Sequence, residues 1–155
     1  MTTEIRTIEF HSAFGHPVRM LPQTIGRDEA LLALGLIEEE FRELAEAMFP
    51  GITHDMECVP VTKILKEYPY EYAYEPDLVA IGDAVGDLDV VVNGAGIRHG
   101  FDMEQLGKEI HRSNMSKLDA DGKPVYKIPG DPTSKIGKSA LFREPDIAGA
   151  LGFVA

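Results

Sequence analysis

A chain of 155 residues with a formal net charge of -11 has no Lys/Arg surplus to replace phosphate counterions, which excludes unassisted binding to nucleic acid or to an anionic membrane. Its 44% apolar content is that of a globular protein, and its length suits one domain over residues 1–155. With Cys58 as its single cysteine, no apolar run of about 18 residues, and an N-terminus lacking a basic start and apolar core, it reads as a cytoplasmic protein without disulfide, membrane span or signal peptide.

In chain order, Glu4 to Phe14 predicts a short helix that packs through Ile8, Phe10 and Phe14, broken by Gly15-His16-Pro17. His11 and His16 on this arm read as structural rather than as ligands. Arg27-Asp28-Glu29 opens a long helix running through LLALGLIEEEFRELAEAM, its acids favoured by the positive end of the helix dipole. Leu34, Ile37, Phe41, Leu44 and Met48 predict its core-facing stripe.

Glu39, Glu40 and Glu43 share an adjoining arc, three and four residues apart. Like charges at that spacing ask for a cation, and an all-oxygen set suits magnesium or manganese better than zinc; the alternative is a solvated acidic face. Pro50-Gly51 ends this helix, and residues 51–76 form an interrupted stretch in which Tyr68, Tyr70, Tyr72 and Tyr74 alternate. Period two predicts a short strand or an extended lid, with the tyrosines packing against neighbours or stacking on a nucleobase.

Residues 77–100 predict the second central helix. Asp83 and Asp87 are one turn apart on a face continued by Ala80, Val90 and Gly94, which predicts that both carboxylates are buried and share a cation. Gly82, Gly86, Gly94 and Gly96 predict close approach of another helix or a ligand. Residues 101–118 predict a third long helix with Met103, Leu106, Ile110 and Leu118 in the core. Asn114 and Lys117 share a face at its end, while Arg112 points elsewhere, toward a different phosphate or a structural ion pair.

From Asp119 onward the helical pattern stops, and residues 119–155 read as an extended tail whose end, from Glu144, docks on a neighbouring surface. Its lysines, Lys123 among them, place positive charge where an anionic substrate would bind. There is no Walker-type loop, zinc spacing or nucleophile elbow.

Glu39-Glu40-Phe-Arg-Glu43, Asp83-Ala-Val-Gly-Asp87 and His111-Arg-Ser-Asn-Met-Ser-Lys117, in that order, resemble the all-α nucleoside triphosphate pyrophosphatase superfamily, and within it MazG-like and phosphoribosyl-ATP pyrophosphohydrolase-like proteins. The resemblance covers roughly Glu4 to Ile147 and implies an all-α helical bundle, a homodimer or homotetramer, that uses Mg2+ or Mn2+ to split a nucleoside triphosphate into monophosphate and pyrophosphate. By position it implies Glu40, Glu43 and Asp87 as metal ligands and Glu39 as a ligand or the group orienting the attacking water. Asn114 and Lys117 fall at phosphate-binding positions, with Arg112 and Lys123 as further candidate substrate contacts.

Two departures stand out. The usual glutamate three residues before the last aspartate is Ala84 here, leaving Asp83 as the substitute ligand, and the 51–76 insertion lengthens the gap between the acidic helices. Two readings compete with hydrolysis of a (d)NTP: hydrolysis of phosphoribosyl-ATP, and a non-catalytic helical protein that binds a nucleotide or a partner.

Overall fold

The computed structural model describes residues 1–55, 61–67 and 72–153. Among these, every regular element is helical: α1 (Thr3–Phe14), α2 (Arg27–Met48), a 3-10 turn (Ile52–Asp55), α3 (Val61–Glu67), α4 (Leu78–Arg98), α5 (Met103–Met115) and α6 (Ile147–Ala150). The chain divides into two compact units, one of residues 1–18 and 23–99, the other of residues 19–22 and 100–155.

In the first unit, α2 and α4 form the most extensive helix pair and α1 lies against α4. Each start has a local cause. The Thr2 hydroxyl accepts from the Ile5 N–H to begin α1, and the Asp77 carboxylate accepts from the Val79 and Ala80 N–H groups to begin α4. Gly26 opens α2 without a side-chain cap, and Asp28 and Glu29 occupy the positive end of its dipole.

The Asp77 N–H donates to the Ala47 carbonyl at 2.9 Å, and Arg98 pairs with Glu29 at 3.6 Å, so the end of each long helix is tied to the start of the other. After α2, the Glu46 carboxylate accepts from the Gly51 N–H at 2.6 Å and the Thr53 hydroxyl at 2.8 Å, which turns the chain and seats Ile52, fully buried, beneath it.

The buried line of α2 differs from the predicted one. Leu34 is 64% exposed and Phe41 43% exposed, while Ala33, Leu36, Ile37, Glu40 and Leu44 turn toward the interior. The two faces overlap: Ile37, Leu44 and Met48 lie on both, so the inward arc is turned from the expected one by less than the roughly 100° of one residue, which is why periodicity alone does not separate them. Small residues decide between the two. Ala33 and Ala45 on α2 and Ala84 on α4 are buried, and the larger side chains of Leu34 and Phe41 are left outside.

Gly94 is as close-packed as expected, since a Cβ there would lie 2.9 Å from Nε2 of His11 on α1. Gly82 and Gly86 face open space instead, so close approach does not account for them. Residues 61–67 are helical where proline breaks hid the pattern, and Ile64 is buried. Tyr72 and Tyr74 lie in irregular chain rather than a strand, and the Tyr74 ring packs on Phe49 with centroids 5.3 Å apart; Tyr68 and Tyr70 lie outside the described residues.

The second unit is built on α5, which starts at the Asp102 cap and stops at Met115, three residues short of the expected end. Ser116 ends it: its N–H reaches back to the Arg112 and Ser113 carbonyls, and its hydroxyl donates to the Ser113 carbonyl at 2.7 Å. Ile110, expected in the core, is 39% exposed, and the buried residue of this helix is Ser113.

The tail docks on α5 as the sequence suggests. Arg112 donates to the Glu144 carbonyl at 3.0 Å, the Asp146 N–H donates to Glu109 at 2.6 Å, and Ser113 donates to the Arg143 carbonyl at 2.9 Å. Between them the chain runs as turns with one isolated antiparallel bridge, Tyr126 to Ile136. Gly100 has φ of +77° and the backbone of Leu21 where a Cβ would stand, so glycine is required there.

Candidate carboxylate centre

Five carboxylates lie along the α2–α4 pair. Glu40 is the central one: its Oε2 is closed off from solvent and has no hydrogen-bond partner among the described residues. Burial pushes its carboxyl above the ordinary 4.5, and the negative charges of Glu43, Asp87, Glu39 and Asp83, in decreasing order, push it further. An acid that feels four others is physical evidence that two helices far apart in sequence bring all five into one field.

Asp83 and Asp87 are not buried, contrary to expectation; both are solvent-exposed, as are Glu39 and Glu43. The interior residue of α4 at this level is Ala84, 2% exposed. On a helix of 100° per residue, Asp87 and Asp83 lie about 60° and 100° to one side of Ala84, and Glu43 and Glu39 lie at the same angles from Glu40. The two helices thus carry one pattern, Glu39-Glu40-x-x-Glu43 and Asp83-Ala84-x-x-Asp87, with four acids on the rim. Only α2 places an acid at the inward position. The repeat puts the same geometry on both helices, and its inward position carries an acid on α2 and an alanine on α4.

The donor set fits a hard divalent cation. It is all carboxylate oxygen, it is anionic enough to need compensation, and it contains one enclosed oxygen without a protein donor among the described residues. Among the described residues, no group of three or more His, Cys, Asp or Glu side chains is drawn together into a closed coordination shell. The acids share a field, and their side chains are not converged on one point.

The remaining predicted residues belong to the second unit. Arg112 forms a two-point pair with Glu109, at 2.8 and 2.7 Å, and holds the tail, so of its two readings the structural ion pair is the one seen. Lys117 donates to the Asn114 side-chain carbonyl at 2.7 Å, consistent with their shared face. Lys123 is exposed in a turn held by the Asp119 carboxylate, which accepts from its N–H at 2.8 Å.

His11 and His16 are structural, as read. His11 is buried, its Nδ1 3.2 Å from the Pro17 carbonyl, and burial lowers its pKa from the usual 6.5, helped by the charges of Arg98 and His16. Nδ1 of His16 accepts from the buried Arg98 guanidinium at 3.3 Å. With Ala33, Leu36 and Val91 they line a cavity of about 50 Å3.

An all-helical fold whose central antiparallel pair carries acids on both helices is that of the all-α nucleoside triphosphate pyrophosphatase superfamily, the MazG-like class. Within that class, the chain belongs to the phosphoribosyl-ATP pyrophosphohydrolase family, whose profile matches residues 7–114. The family implies a hydrolase acting on phosphoric anhydride bonds. The match runs from within α1 to the penultimate residue of α5 and takes in all five acids, Arg112 and Asn114, leaving Lys117 and Lys123 beyond it. No curated protein matches the chain. No helix among the described residues is long and apolar enough to cross a membrane.

Proposed function

We propose that the chain is a metal-dependent pyrophosphohydrolase that cleaves a (d)NTP between its α and β phosphates, giving (d)NMP and pyrophosphate. The observation that carries this reading is the partnerless, buried Oε2 of Glu40 inside a field of four further carboxylates. Glu40, Glu43 and Asp87, with Asp83 in place of the usual glutamate, would hold Mg2+ or Mn2+. Such an ion neutralises polyphosphate charge and lowers the pKa of water.

The chain's own work is then positional. Glu39, exposed beside Glu40, is suited to orient a water and take its proton. The other rim acids hold the charge needed to retain a cation, and the interior stays closed to solvent around Glu40. In the second unit, Asn114 and Lys117 are assigned to phosphate recognition as a hydrogen-bonded amide–ammonium pair, and Lys123 as an exposed cation. Arg112 serves by keeping the tail in place.

The family match favours a second substrate, phosphoribosyl-ATP, which carries the same scissile anhydride. Pyrophosphate release from dNTPs, NTPs and phosphoribosyl-ATP, with Mg2+, with Mn2+ and with chelator, tests both. Metal-dependent release from dNTPs with a monophosphate product is expected. Turnover of phosphoribosyl-ATP alone would select the second substrate, and no release from a folded, metal-binding protein would select the binding-only reading. We further propose a cytoplasmic homo-oligomer, supported by Leu31, Leu34 and Phe41, each exposed by 43% or more along one helix.

A further inference from the structure

The bridge between Tyr126 and Ile136 closes a short hairpin within the second unit, and its hydrogen bonds set the register. The Lys127 N–H donates to the Lys135 carbonyl at 2.9 Å, and the Gly137 N–H donates to the Val125 carbonyl at 2.7 Å. Because these two bonds flank the Tyr126–Ile136 pair, those two side chains share one face, and Lys127 stands opposite Lys135 on the other. The Val125 side chain, 3.4 Å from where a Cβ on Gly137 would stand, agrees with that register. Side chains build the tip. The Asp131 carboxylate accepts from the Thr133 N–H at 2.8 Å and from its hydroxyl at 2.6 Å, and the Ser134 hydroxyl accepts from the Ile128 N–H at 3.2 Å.

Charge and edge together select an occupant. Residues 123–138 carry four lysines and one acid in a chain of net charge -11, and that acid, Asp131, is spent on the turn. Like charges directly opposed on neighbouring strands repel. Lys127 and Lys135 are nevertheless both exposed, and neither ammonium meets a carboxylate among the described residues. On the opposite face Ile136 is 50% exposed, whereas Tyr126 is half-buried. The N–H and C=O of Ile136 point outward from the bridge and make no hydrogen bond among the described residues, so this edge is open to a further strand.

An edge whose side chains alternate between cationic and apolar accepts an extended chain that alternates between acidic and apolar. A second copy of the hairpin does not fit, since it would set lysines against lysines. We propose that the Ile136 edge is a docking site for an extended segment of a partner protein with alternating acidic and apolar residues, added as a strand with its carboxylates on the lysine face and its apolar side chains beside Ile136.

The test is fluorescence anisotropy of a labelled decapeptide of alternating glutamate and valine, titrated with the full chain in the presence of chelator. Saturable binding below millimolar is expected, with the alternating lysine–valine and glutamate–glycine peptides each at least roughly tenfold weaker. N-methylation of the valines, which stand opposite Ile136, should abolish binding by removing the donors to its carbonyl. Lys135→Glu should lose roughly tenfold for the glutamate–valine peptide and gain affinity for the lysine–valine one, a reversal that misfolding does not produce. Glutamate–valine binding no tighter than lysine–valine binding, undiminished binding of the N-methylated peptide, or a Lys135→Glu protein that behaves like the parent overturns the proposal. Tighter binding of oligothymidylate than of the peptide also overturns it, by assigning the lysines to nucleic acid.

Discussion

Glu40 carries a conflict between stability and function. Its raised pKa means that the folded state holds the proton more tightly than the unfolded chain, so ionising it above the ordinary 4.5 works against folding in the absence of a cation. Glu40→Gln is therefore expected to raise the melting temperature of the metal-free protein at neutral pH. It should also abolish the further rise that Mg2+ gives the parent, and reduce pyrophosphate release by roughly two orders of magnitude. Thermal melts with Mg2+ and with chelator check all but the last. A variant no more stable than the parent would mean that Oε2 is not the strained group described here.

Ala84 is the counterpart of Glu40 on α4 and is buried, where the resemblance leads one to expect a glutamate. Alanine at the inward position keeps a second carboxylate out of the same interior, while Asp83 and Asp87 stand exposed on the rim. Ala84→Glu should lower the metal-free melting temperature by at least about 5 °C, because it buries a like charge, with part of the loss recovered on adding Mg2+. Full stability without metal would show that the α2–α4 interface has room for both acids.

Among elements, α1 depends on the neutral imidazole of His11. Facing it are His16, Arg98 from α4 and, through its ion pair with Arg98, Glu29 from α2. His11 is held below the usual 6.5 in the folded state, so the unfolded chain takes up the proton first. The stability that neutral His11 contributes is present above 6.5 and falls away as the pH drops through that value. Hydrogen exchange of residues 3–14 should quicken between pH 7 and 5.5 before that of α4 does, and His11→Gln should flatten the response.

The joint between α5 and α6 responds differently. Glu109 is held down to about 2, chiefly by Arg112 and then by the Asp146 N–H, so the contact survives far into acid and is lost only as the pH falls from 4.5 toward 2. Glu109→Gln removes the charge that both partners use. Faster amide exchange over residues 144–151 at neutral pH is expected, with α4 unchanged; equal protection in both proteins would mean the tail is held elsewhere.

At the scale of the whole molecule, the rotation of α2 that takes Glu40 inward also leaves Leu34 and Phe41 outside, 64% and 43% exposed. Large exposed apolar side chains in register on one helix are the features that a partner subunit covers. Sedimentation is expected to give a mass above the 17.0 kDa of one chain, and Leu34→Glu with Phe41→Glu should reduce it to that of the monomer. A parent protein that sediments as a monomer would overturn the oligomer, while leaving the carboxylate centre as described.

The sequence by itself determined the helical class, the positions of α1, α2 and α4, and an extended tail that docks on a neighbouring surface. These follow from local causes: period 3.6, caps at Thr2 and Asp77, and proline and glycine stops. The face each helix buries was decided only by the tertiary structure, because two apolar arcs on α2 overlap and the burial of Ala33, Ala45 and Ala84 selects between them. The same packing leaves Asp83 and Asp87 exposed and encloses Oε2 of Glu40 instead. Which carboxylate leaves water depends on how two helices meet, and no spacing within either helix encodes it.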